Sequence, residues 1–76
     1  MANITHINSP SQLQSILSEN QYVIIDFHAV WCGPCHMIAP VLEQLAKQHA
    51  KQGSLAFTKV DVDQQQEIAA KYGITA

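Results

Sequence analysis

The feature that most constrains this chain is the run Tyr22 to Val30 (Y-V-I-I-D-F-H-A-V), almost continuously apolar and rich in β-branched and aromatic residues. A strand covered on both faces reads this way, whereas a half-exposed strand alternates apolar and polar residues. The run therefore implies a central strand with layers packed on either side. Its single acid, Asp26, is then buried, and an ionised carboxylate in such a place is costly unless it is paired or keeps its proton. That position asks for a chemical reason.

The flanking segments alternate in kind. Ile4 to Ile7 is a short β-prone segment, and Ser9-Pro10 supplies an N-cap residue followed by proline at the first helical position. Leu13, Ile16 and Leu17 follow at i, i+3 and i+4 on one face, and the polar Ser18-Glu19-Asn20 cluster closes that helix. After Trp31-Cys32-Gly33-Pro34-Cys35, the residues Ile38, Val41, Leu42 and Leu45 predict an apolar helical stripe, with Glu43, Gln44 and Lys47 opposite and Gly53 marking the end. Pro40 lies inside this pattern and removes the bond to the His36 carbonyl, so the helix should kink there without breaking. Leu55 to Val62 reads as a second buried strand, Asp63 with Gln66 as a capping-box-like helix start, and Tyr72-Gly73 as that helix's end. Strands alternating with helices predict an α/β fold with the order β-α-β-α-β-α, a parallel or mixed sheet and right-handed crossovers.

Length and charge narrow the function. The 76 residues, 47% of them apolar, hold material for one small core, so residues 1–76 are read as a single domain. Four basic against six acidic residues give a net charge of -2 with no basic run, which excludes nucleic acid and an anionic membrane as expected partners. No apolar stretch is long enough to span a bilayer, and Met1 to Thr5 lacks a basic segment leading into an apolar one, so the expected address is cytoplasmic. Two cysteines three apart cannot supply the long-range crosslinks of a secreted disulfide scaffold. A close pair in a reducing compartment is more often catalytic or metal-binding than structural.

The position of the pair favours redox chemistry. Cys32 stands where a strand gives way to a helix, near unpaired backbone N–H groups and the positive end of the helix dipole, and both favour thiolate over thiol. Such a thiolate attacks a disulfide, and Cys35, one turn inward, resolves the mixed disulfide. Pro34 has no N–H and a fixed φ, which suits the first helical turn and stiffens the loop. Two other readings compete. Cys32, Cys35 and His36 satisfy the C-x-x-C-H rule for covalent haem attachment, but without a secretory signal. Structural zinc needs four ligands, and although His28, His36 or His49 can be nominated, no second close Cys/His pair stands at the usual spacing. The expected cofactor and metal are therefore none beyond a redox-active Cys32–Cys35 disulfide. His6 and His49 read as solvated surface groups, and Met37 as helix surface or core filler.

The sequence D-F-H-A-V-W-C-G-P-C followed by Pro40, then K-V-D-V-D and K-Y-G-I-T, resembles the thioredoxin family over the whole chain. The resemblance implies a protein disulfide reductase, an enzyme-like electron carrier acting on protein disulfides and re-reduced by a thioredoxin reductase. It implies Cys32 as nucleophile, Cys35 as resolving thiol, Asp26 as the buried acid that assists deprotonation of the inner cysteine, and Lys59 as its charged neighbour. Trp31, Gly33 and Pro34 match the substrate-docking surface. His28 and His36 depart from the family pattern, in which an aromatic and a lysine are common at these places.

In the family the Y-G-I segment leads into a strand opening with a cis-proline that faces the cysteines, while this chain ends at Thr75-Ala76. The expectation is thus an incomplete thioredoxin-like domain, lacking the last two strands and the final helix, with Val23 to Phe27 left as an open edge. An open edge invites pairing with another chain, so a homodimer or larger oligomer is expected. An oligomerising or metal-binding module with little reductase activity is the alternative function.

Overall fold

Three parallel strands form the frame, and each strand is followed by a helix. In the computed structural model, which describes residues 3–74, the elements are β1 (Ile4–His6), α1 (Pro10–Glu19), β2 (Tyr22–His28), α2 (Gly33–His49), β3 (Leu55–Asp61) and α3 (Gln66–Lys71). This is the expected β-α-β-α-β-α order. Thr75 and Ala76 lie outside the described residues.

The strand order is β1-β3-β2, with both pairs parallel. Among the described residues β3 is the central strand and β2 lies at an edge, half-buried along most of its length; this corrects the central place that the apolar run alone implied and agrees with the open edge expected for Val23 to Phe27. An apolar run reports that both faces are covered, but it says nothing of how many neighbours a strand has in the plane of the sheet. The register sets Asp26 opposite Lys59 and His28 opposite Asp61 on β3.

Helix α1 forms as its cap predicts. The Ser9 hydroxyl accepts the Gln12 N–H at 3.1 Å, Pro10 occupies the first turn, and Leu13 points inward, buried with Ile7, Val60 and Ile68. Ile16, Leu17, Ile25 and Phe27 complete this layer, so α1 and α3 cover one face of the sheet. On the opposite face, α2 packs Ala46 and Leu42 over Ile4, Phe57 and Leu55.

The stripe expected on α2 is rotated. Ala46 is fully buried and Leu42 half-buried, but Ile38, Val41 and Leu45 are 51, 59 and 42% exposed. Small Ala46, with Leu42 and Ala50 beside it, faces the sheet, and a stripe chosen by side-chain size misses a face built partly on small ones. The helix runs unbroken through Pro40, and Gly53, at φ +80°, sits in the turn leading to β3.

The start of α3 also differs. Asp63 does not cap it; the helix begins at Gln66, after Gln65, which makes no side-chain cap bond. The cause is local competition: the Asp61 carboxylate accepts the N–H groups of Asp63 and Gln64 at 2.9 and 3.3 Å, which holds the chain in a turn before the helix. Its end is as expected, with Gly73 at φ +73° and the Ile74 N–H donating to the Ala69 carbonyl at 2.9 Å.

Candidate active site

The chemistry-bearing residues converge where β2 and β3 end and α2 begins. In open parallel sheets this is the usual place for a site, because the carboxyl ends of strands face the N-termini of the helices that follow. The end of β2 is tied to the chain beyond β3 by the Val62 N–H, which donates to the His28 carbonyl at 2.9 Å.

Cys32 is the N-cap of α2, in extended conformation at φ -91°, ψ 104°, and its Sγ accepts the Cys35 N–H at 3.3 Å. A sulfur thus takes the role that a hydroxyl or carboxylate oxygen has at an ordinary cap. The Cys32 N–H itself donates to the Ala29 carbonyl at 3.1 Å, which turns the chain sharply out of the strand. Cys32 and Cys35 are joined as a disulfide with Cα atoms 5.3 Å apart, and both residues are half-buried. Gly33 and Pro34 form the first turn and are exposed; a Cβ built on Gly33 would meet nothing within 4 Å, so the space beside it is open to an approaching chain.

Trp31 is 60% exposed, yet its ring is not free to swing: the indole Nε1–H donates to Asp63 Oδ2 at 2.7 Å. Asp63 is the site residue that sequence reasoning missed. Its partner lies 32 positions away, and the only sequence cue, two acids alternating at the end of β3, equally describes a turn. Beside the disulfide is a shallow, apolar cleft of about 100 Å³, lined by Phe27, His28, Ala29, Trp31, Val62 and Ile74.

Asp26 lies beneath this assembly. It is half-buried, and its Oδ2 is shielded from solvent with no hydrogen-bond partner among the described residues. Lys59 is its register partner on the central strand, so the two side chains project from the same face, the one that α2 covers. The structure therefore brings Asp26 and Lys59 side by side, and Trp31, Cys32, Gly33, Pro34 and Cys35 together at the head of α2.

Fold and site define an α/β domain carrying a C-x-x-C disulfide at a helix N-terminus. A family model described as thioredoxin matches residues 4–76. A thioredoxin-like protein of Fusarium culmorum is 52% identical over 73 residues, 96% of this chain and 60% of that protein. A thioredoxin of Neurospora crassa is 44% identical over 73 residues, 96% of this chain and 58% of its own length. Among solved structures, Plasmodium falciparum thioredoxin superposes with a TM-score of 0.85 at 43% identity, covering 95% of this chain and 68% of that one. The chain belongs to the thioredoxin family, and it spans about 60% of the length of the two fungal relatives.

Proposed function

We propose that this chain, read as one domain over residues 1–76, is a thiol–disulfide oxidoreductase that reduces protein disulfides. The observation that carries the reading is the Cys32–Cys35 disulfide at the head of α2, with the Cys35 N–H directed at Cys32 Sγ. N–H groups and the positive helix end stabilise negative charge on that sulfur once the pair is reduced.

In the forward step the Cys32 thiolate attacks one sulfur of a substrate disulfide, forming a mixed disulfide and releasing the first substrate thiolate. Cys35, deprotonated, then attacks Cys32 Sγ, restoring the intramolecular disulfide and releasing the second substrate thiolate. Two electrons pass to the substrate, and the Cys32–Cys35 pair is oxidised. Asp26 takes the proton of Cys35, because an unpartnered, shielded carboxylate oxygen has an unused acceptor position; Lys59 beside it limits the cost of the charge. Trp31, Gly33 and Pro34 form the docking surface around the cleft. A thioredoxin reductase is the partner that restores the dithiol, and no prosthetic group enters the exchange. A reducing compartment, the cytoplasm, suits this cycle; no helix among the described residues is long and apolar enough to cross a membrane.

The alternative of an oligomerising or metal-binding module draws no support from the family match. Among the described residues no group of three or more His, Cys, Asp or Glu side chains is placed to hold a metal. Self-association into a homodimer through the outer side of β2 rests only on that strand's edge position, and a monodisperse monomer by light scattering at micromolar concentration would remove it.

The deciding experiment is insulin disulfide reduction with a chemical reductant, comparing the chain with Cys32→Ser. Acceleration by the wild-type chain, lost by at least about 100-fold in the variant, is the expected result. A folded wild-type chain that gives no acceleration overturns the reading.

A further inference from the structure

His36 follows the disulfide directly, in the first turn of α2, and its exposed ring bends back across the loop: Nε2 lies 3.0 Å from the Val30 carbonyl oxygen. A carbonyl can only accept, so Nε2 carries the hydrogen, and Nδ1 is left to gain or lose a proton. The bond spans Trp31 to Cys35, joining the loop that leaves β2 to the helix that carries the resolving cysteine. The same corner is also closed by the Cys32 N–H to the Ala29 carbonyl and by the Cys35 N–H to Cys32 Sγ.

We propose that His36 is a positioning residue for the dithiol, a proton-sensitive brace that holds the Val30–Cys32 loop against the head of α2 and brings a positive charge beside Cys32 when its ring is protonated. This rests on the reductase reading above. Histidine is the side chain whose charge ordinarily changes between pH 5 and 8. As an imidazolium it strengthens the bond to Val30, since a charged donor binds a carbonyl more tightly than a neutral one. The N-terminus of α2 opposes a cation there, but a protonated ring and a Cys32 thiolate attract each other, so the imidazolium stabilises the thiolate.

The surrounding charges leave His36 this role. Helix α2 has no acidic residue in its first turn, and its first acid is Glu43. At the end of β3, Asp61 is occupied by the N–H groups of Asp63 and Gln64, and Asp63 by the Trp31 ring. Asp26 and Lys59 face each other across the β2–β3 ladder, and the His28 ring meets that of His6 edge-on at 6.5 Å between centroids.

The test measures, on reduced protein, the rate of Cys32 alkylation by iodoacetamide from pH 5 to 9, located by peptide mass, together with amide exchange at Cys32. Wild type is compared with His36→Gln, whose amide can still donate to Val30 but does not titrate, and with His36→Ala. The wild-type profile should carry a second step between pH 5 and 8 that both variants lack. At pH 6 both variants should alkylate about three- to tenfold more slowly than wild type, with less than about a twofold difference at pH 9. Cys32 exchange should stay protected in His36→Gln and quicken in His36→Ala. Profiles of one shape in all three proteins, or exchange unmoved in His36→Ala, overturn the proposal. A wild-type chain with the two-step profile that fails to reduce insulin would instead remove the reductase reading and leave the brace standing.

Discussion

The two faces of the sheet are finished to different degrees. Beneath α1 and α3, the side chains of Ile7, Leu13, Val60 and Ile68 are buried together, with Ile16, Leu17, Ile25 and Phe27 packed around them. Beneath α2, the buried cluster is only Ile4, Ala46 and Phe57, and the helix leaves Ile38, Val41 and Leu45 largely in solvent. Yet this thinner face holds Asp26 and carries both cysteines at its helix end. The difference teaches that packing and chemistry-bearing groups are divided between the faces: one side secures the strands, and the other holds a shielded carboxylate oxygen and the helix that begins at the disulfide.

Substitutions can break or sharpen that division. The largest stability effect should come from Leu13→Ala, which empties a site 3% exposed and should lower the unfolding free energy by about 2–4 kcal/mol in urea titrations. Val41→Ala on the outer side of α2 should change it by less than about 0.5 kcal/mol. Equal losses at the two sites would mean that α2 packs as tightly as α1 and would end the contrast.

Asp26→Ala tests the face that carries the chemistry. Removing a shielded carboxylate oxygen without a partner should raise stability by about 1–3 kcal/mol at neutral pH while slowing insulin reduction. A destabilised variant would show that the carboxylate is satisfied in solution and that this face is built for stability as well. The smallest effect is expected where the site meets the end of β3. A double-mutant cycle of Trp31→Phe and Asp63→Ala should give a coupling of about 1 kcal/mol, from one hydrogen bond at an exposed position. A coupling near zero would mean that Trp31 is held by packing alone.

Local chemistry made much of this legible in the sequence. The Ser9 cap, the left-handed Gly73 after α3 and the order of strands and helices depend on residues within a few positions of one another, and each formed as read. So did the placement of Cys32 at a helix head, since Pro34 suits the first helical turn that follows it. The start of α3 was misread because two acids competed for the same N–H groups, and Asp61 took them.

Relations between distant segments were decided only by the tertiary structure. Hydropathy reports burial but not neighbours in a sheet, so the apolar pattern of β2 could not show that β3 lies in the middle of the described strands; only the family resemblance pointed to an open edge at β2. The sequence could not say which stripe of α2 faces inward, because the inward face is centred on small Ala46 and not on the largest apolar side chains. Nor could it pair Trp31 with Asp63 across 32 positions. The sequence by itself determined the order of the elements and the place of the dithiol at a helix head, because each is set by the preferences of a short stretch of chain; the fold decided what each of them touches and how far Asp26 is buried, because that is set by the packing of segments far apart in the chain.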